Sequence, residues 1–357
     1  MKQLIKYAAL IFALILSASI IGGCLTAGVA VARMIAEKTE GQAGGNGNDI
    51  WYRDEEGNVI FLGFHFGKNS GEVKSGTEQF AGSDIDSLDI EVGSGDLIIE
   101  VWENDYISVD YENIPVEYEI YEEDETLVIE RKDNITFVWN VSFTEKQKIH
   151  VRVPSSLVYK RVDVEKGSGS AKVIGLLAEE IFVDNGSGGL GVSGVTTKKL
   201  HVDSGSGGVN ISGITAERSV FYSGSGSFVV QNCELGEVSM DSGSGFVNLE
   251  NVIAKNLVLD TGSGRVDVSG KLTGNCMFES GSGSINVVID GNEKDYDIRT
   301  DMGSGSFYLN GKKENDNNIE HADAEHQLVF DAGSGRVSVE FQETTGDKPE
   351  NAERYER

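Results

Sequence analysis

Short stretches in which apolar and polar residues alternate fill the chain from about residue 85 onward, with the period of a half-buried strand. From Arg161 the alternation locks to a repeat. Gly-Ser-Gly begins at Gly167, Gly186, Gly205, Gly224, Gly243, Gly262 and Gly281, about 19 residues apart each time. Four positions after the first glycine stand Leu190, Val209, Phe228, Val247, Val266 and Ile285. Six positions after it stand Val192, Ile211, Val230, Leu249, Val268 and Val287, and sixteen after it Val183, Val202, Phe221, Met240, Leu259 and Phe278. Each repeat is predicted to be two short strands joined by two turns. One turn is always Gly-Ser-Gly. The other varies, as in "GITAER", "NCELGE" and "NVIAKN", and starts mostly with Gly or Asn, which tolerate positive φ.

One such unit cannot bury its apolar face alone, but neighbours stacked on it can. Two geometries fit. In a β-solenoid equivalent residues sit about 4.8 Å apart, and in an antiparallel meander of hairpins about twice that. The columns match by residue size and the turns by type, which favours the solenoid. The predicted fold class is all-β: a single-stranded β-helix-like solenoid of Gly-Ser-Gly repeats over 161–342, preceded by an N-terminal transmembrane helix.

Regularity fails on both sides of the array. Residues 51–160 hold alternating runs of irregular spacing, such as Leu97 to Val101 and Ile149 to Val153, bounded by turn-like "ENDY", "EEDE" and "RKDN". A Gly-Ser-Gly at Gly93 shows the same turn chemistry outside the regular array. The units at Gly303 and Gly333 come late, after polar "GNEKDYD" and "GKKENDNNIEHADAEH", which predict loops leaving the stack, the longer near 311–326. Residues 343–357 form a polar tail.

The first 33 residues are of another kind. After Lys2 and Lys6 the run from Tyr7 to Ala32 is uncharged and mostly apolar, and about 20 such residues cross a bilayer. It reads as a retained anchor with its lysines on the cytoplasmic side. Ile21-Gly22-Gly23-Cys24 is similar to a bacterial lipobox and makes Cys24 a candidate lipidation site. The apolar run continues from Leu25 to Ala32, which favours the uncleaved helix. Residues 34–50 read as a flexible spacer. Either form of attachment places the bulk of the chain outside a bacterial cell membrane, as a single-pass protein.

Charge narrows the choice of partner. The net charge is −28, so the surface repels nucleic acid and anionic lipid or wall polymer and attracts metal cations, besides keeping an extended protein soluble. Asp184, Asp203, Tyr222, Asp241, Asp260 and Glu279 fall in one column out of phase with the buried positions. At solenoid spacing, like charges in water repel by about 0.9 kcal/mol per pair. Asp184, Asp203, Asp241, Asp260 and Glu279 are therefore a candidate cation site of the kind hard oxygen ligands make for Ca²⁺, weighed against a merely hydrated acidic edge. No other cofactor is indicated.

Gly-Ser-Gly lacks the context of a phosphate loop, which needs a following Gly-Lys-Ser/Thr or spaced glycines opening a helix. A backbone role is expected, with glycine supplying left-handed dihedrals and serine stacking in a ladder. Cys233 and Cys276 fall in different apolar columns and read as small buried hydrophobes without a mutual disulfide. His321 and His326 flank "ADAE" as a candidate metal pair or a solvated loop. Trp51, Trp102 and Trp139 precede the array and read as core or cap packing. Arg265 and Arg336 each follow a Gly-Ser-Gly without a surrounding cluster of acids and bases, so no catalytic residues are assigned and no enzyme is expected.

The stretch "IHVRVPSSLVYKRVDVEKGSGSAKVIG", followed by "VDSGSGGVNISG"-like units, resembles the bacterial putative-adhesin family of β-strand-repeat surface proteins, over roughly residues 85 to 342. The resemblance implies a membrane-attached extracytoplasmic β-solenoid without catalytic residues to carry over. The expected function is a structural or adhesin-like binding role toward a surface protein or glycan. The alternative is an accessory part in envelope-stress signalling, and a polysaccharide-active β-helix enzyme ranks below both.

Overall fold

The computed structural model describes residues 51–53, 59–61, 64–66, 73–132, 146–315 and 317–342. The anchor, the spacer, Cys24, Trp139 and the polar tail lie outside them. No helix among the described residues is long and apolar enough to cross a membrane. The chain divides into two compact units. Described strands of the first are β1 (Trp51–Arg53), β2 (Val59–Phe61) and β3 (Phe64–Phe66), which pair antiparallel in that order.

Among the described residues, the regular elements of the second unit are strands apart from two single 3-10 turns, Gly82–Asp84 and Glu293–Asp295. It opens with β4 (Val73–Ala81), β5 (Ser87–Val92), β6 (Asp96–Trp102), β7 (Tyr106–Pro115), β8 (Tyr118–Glu123), β9 (Thr126–Arg131) and β10 (Lys148–Pro154). The regular part follows: β11 (Tyr159–Lys166), β12 (Ser170–Ile174), β13 (Leu177–Asn185), β14 (Gly189–Ser193), β15 (Thr196–Ser204), β16 (Val209–Ser212) and β17 (Thr215–Ser223). Two long strands, β18 (Ser227–Ser242) and β19 (Phe246–Thr261), run through the variable corner. β20 (Arg265–Thr273), β21 (Asn275–Ser280) and β22 (Ser284–Asp290) complete the array.

Pairing decides between the two geometries. Val183 pairs Val202, Val202 pairs Phe221 and Phe221 pairs Met240, all in parallel. On the other side of the turn Leu190 pairs Val209 and Val209 pairs Phe228, also in parallel. A meander of hairpins would pair these strands antiparallel. The array is a β-solenoid, each repeat one coil of two strands. Every residue of the three apolar columns named above is buried, and together they form a continuous core.

Coil order departs from chain order at both ends. β5 pairs β11 on one side and β9 on the other, and β6 pairs β12 and β10, all in parallel. The Gly93 turn is thus a rung of the same ladder rather than a motif outside it. β7 and β8 lie antiparallel on β10 and β9. The chain therefore passes beyond the β5–β6 coil, makes an antiparallel layer, and returns to fill the space between.

The other end repeats this manoeuvre with β23 (Tyr296–Met302), β24 (Ser306–Leu309), β25 (Lys312–Glu314), β26 (Asn318–Ile319), β27 (His326–Ala332) and β28 (Arg336–Gln342). β27 and β28 pair with β21 and β22, and β23 and β24 pair with β27 and β28. The last coil in sequence is the penultimate one in space. Segment 311–326 does not leave the stack, because β25 and β26 pair antiparallel with β24 and β23 and cover an edge that would otherwise be open.

Candidate functional site

The Gly-Ser-Gly turns form a continuous ladder along one edge of the stack. Their amides are bonded from coil to coil: Gly205 N–H donates to Asn185 O at 3.0 Å and Ser206 N–H to Gly186 O at 3.1 Å. The first glycine and the serine of each turn thus keep their N–H groups in the ladder rather than free for a phosphate. Gly207 is required by close approach, whereas the expected left-handed dihedral is found in this turn at Gly95 and Gly169, both with φ of 94°. A Cβ on Gly207 would lie 1.8 Å from Gly188 O. Left-handed residues also stand at the opposite corner, where Gly194, Gly213, Asn232 and Asn251 take φ of 62°, 61°, 55° and 52°. That is the Gly-or-Asn start of the variable turn.

The acidic column is in register and longer than the sequence indicated. Glu91, Glu165, Asp184, Asp203, Tyr222, Asp241, Asp260, Glu279, Asp331 and Asp301 are successive lateral partners. Asp184, Asp203, Asp241 and Asp260 are exposed and Glu279 is half-buried. The carboxylates stand side by side in one row. No three His, Cys, Asp or Glu side chains converge as a metal would require among the described residues. Crowding is felt at the N-terminal end of the row. Partial burial pushes the Glu165 carboxyl up, and the charges of Glu91, Asp163, Asp184 and Asp89 push it further. Asp89 is likewise raised, first by burial and then by Asp163 and Glu130.

A second place gathers side chains that the sequence keeps apart. An open trough of about 630 Å³ lies along the turns beginning at Gly262, Gly281, Gly333 and Gly303, the order in which they stack. Arg265 and Arg336 both occupy the position just after the turn. Arg265 pairs Ser284 and Ser284 pairs Arg336, so one coil separates the two arginines. The Arg336 guanidinium carbon lies 4.0 Å from the centre of the Tyr308 ring. Arg265 Nε is bound by Asp267, at 3.0 Å from Oδ1 and 2.8 Å from Oδ2, and Asn286 donates to the same carboxylate at 2.8 Å. Turn serines Ser263, Ser282, Ser334 and Ser304 line the trough and are exposed. No lining residue is acidic.

The remaining candidates have local partners. Cys233 and Cys276 are free and buried, and burial raises both thiols. His321 and His326 both sit against Tyr296. His321 Nδ1 is 2.8 Å from the Tyr296 carbonyl, and the His326 ring meets the Tyr296 ring edge-on at 5.1 Å. Trp102 donates from Nε1 to Tyr106 O at 2.8 Å and carries Arg152 over its ring at 4.6 Å, which is end-of-stack packing. His201 faces outward between Phe182 and Tyr222, with ring centres 5.7 and 5.5 Å away.

Sequence reasoning saw Arg265 and Arg336 as isolated because they are far apart in the chain and the coil order is exchanged. The signal was present: both follow their Gly-Ser-Gly directly. Tyr308 carries no such signal, since only the exchanged order sets β24 beside β28.

Residues 85–347 match the model of the family described as Toastrack DUF4097. No curated protein matches the chain. Among solved structures, the chain is similar to a protein titled a putative lipid binding protein from Parabacteroides distasonis, at 20% identity over 75% of this chain and 98% of that one, with a TM-score of 0.49. It is similar to a putative adhesin from the same species at 15% identity, over 76% and 98% of the two chains, with a TM-score of 0.48. A putative adhesin from Bacteroides fragilis shows 13% identity over 76% and 99%, with a TM-score of 0.40.

Proposed function

The chain belongs to the Toastrack DUF4097 family, and from that premise we propose that it is a binding scaffold of adhesin-like role, held at the bacterial cell surface by its N-terminal apolar segment. The observation that carries this reading is the unbroken, in-register stack. Its edge repeats the same exposed chemistry coil after coil, in the acidic row and in the ladder of turn serines. Repeated identical groups at fixed spacing suit an extended partner, because each added contact costs little further ordering once the first is made. The uncharged run Tyr7–Ala32 supports attachment at the N-terminus with the solenoid outside.

The test separates this role from an accessory part in signalling. Residues 1–33 are replaced by an unrelated membrane anchor, and binding of the cells to host or neighbouring surfaces is measured beside induction of envelope-stress reporters. A binding scaffold keeps its attachment with the foreign anchor and loses it when residues 161–342 are removed. Loss of a stress response on anchor exchange, with attachment unchanged, would transfer the assignment to signalling.

A further inference from the structure

We propose that the trough at the Gly262, Gly281, Gly333 and Gly303 turns is a binding site for a carboxylate-bearing saccharide, a uronate unit within a glycan chain. The proposal rests on the binding-scaffold reading and gives it a ligand class. Its first ground is composition. The chain holds 58 acidic residues against 30 Lys and Arg, yet the trough is lined by two arginines and no acid. Eight of the thirteen lining residues are the Ser and Gly of the turns, and the positions just after them bring in Arg265 and Arg336 and no acid.

The second ground is the state of the two guanidiniums. Arg336 makes no ion pair with any described residue. Its planar face rests on Tyr308 at 4.0 Å, which fixes the plane and leaves the N–H edge free. A guanidinium held this way presents the two parallel donors that a carboxylate accepts, with much of the side-chain ordering already done. Arg265 is oriented through Nε by Asp267, and its terminal nitrogens have no bond among the described residues. Its charge is thereby largely offset, so the site offers one full positive charge and a second, positioned donor group.

The third ground is the serines. Their amides are spent between coils, as Ser282 N–H to Gly262 O at 3.1 Å and Ser334 N–H to Gly281 O at 3.1 Å show, while the hydroxyls are exposed. Hydroxyls at coil spacing, about 4.8 Å, both donate and accept, which matches a polyhydroxyl chain lying along the stack. The serine amides that could meet a phosphate are spent in the ladder, whereas the planar guanidinium edge of Arg336 matches the two oxygens of a carboxylate.

The test is titration of the purified full chain in detergent with three probes: an oligogalacturonate, the same oligosaccharide with its carboxyls reduced to alcohols, and a glycerol phosphate oligomer. The expected result is that the oligogalacturonate binds at least tenfold more tightly than the other two. Arg336→Gln should weaken it at least tenfold with an unchanged melting temperature, and Arg336→Lys should restore only part. Equal binding of the reduced sugar, preference for the phosphate oligomer, or an unaffected Arg336→Gln protein would each overturn the proposal. The whole-cell attachment assay keeps the two readings apart. Attachment by wild-type cells whose purified protein binds no oligogalacturonate removes the trough and leaves the scaffold; absence of attachment by the wild type removes the scaffold.

Discussion

Gly207 and Gly189 show how much one methyl group decides. A Cβ on Gly207 would stand 1.8 Å from Gly188 O, whereas one on Gly189 meets nothing within 4 Å. Gly207→Ala should therefore force the coils apart and cost about 3 kcal/mol or more, a magnitude reserved for such clashes. Gly189→Ala should be neutral or stabilise by about 0.5 kcal/mol, since a strand glycine loses entropy that alanine does not. Denaturant melts of the two variants check this directly. Charge acts at the same scale. The Glu165 carboxyl is raised above its ordinary 4.5 by burial and by its acidic neighbours, so its ionisation opposes folding. That penalty is present above the folded pKa and disappears as the pH falls through it to below 4.5. Glu165→Gln should raise the melting temperature at pH 7 and leave it unchanged below about pH 4.

At the scale of elements, the returning coils are the point of interest. β27 lies between β21 and β23, with Phe330 stacked on Phe278 at 5.0 Å and near Phe307 at 6.0 Å. It is the wedge that joins the terminal coil to the array. Phe330→Ala should cost about 3–5 kcal/mol, as large core truncations do. Hydrogen exchange should then show β23, β24, β27 and β28 opening together while β13 to β19 stay protected. If protection were lost evenly along the stack, the terminal coils would not be a separable cooperative group.

The whole molecule carries −28, and its acidic row runs the length of the described stack. Self-repulsion of this kind is long-range and screened by salt, with a Debye length near 10 Å at about 0.1 M. Melting temperature should rise with NaCl. CaCl₂ at equal ionic strength should add no more than that, because Ca²⁺ takes about six to eight converging oxygens and a single row presents them side by side. A clear excess for Ca²⁺ over NaCl, reversed by EDTA, would show instead that the row folds around the ion.

Much of this molecule was legible without coordinates. The columns at Val183, Leu190 and Val192 follow from strand period and repeat length alone, and a 19-residue unit can bury them only by stacking. The outward face of the acids follows from the same parity. The Gly-or-Asn corner follows from the few residues that tolerate positive φ. What the sequence could not decide was order in space. Nothing in "GNEKDYD" or in residues 311–326 says that Gly333 will stack on Gly281 and Gly303 on Gly333, because all these coils present nearly the same apolar columns and the same turn. Equivalent rungs are interchangeable locally. Only the packing of the antiparallel end layers, with Phe330 between Phe278 and Phe307, selects one arrangement, and that choice is what brings Arg265, Arg336 and Tyr308 into one trough.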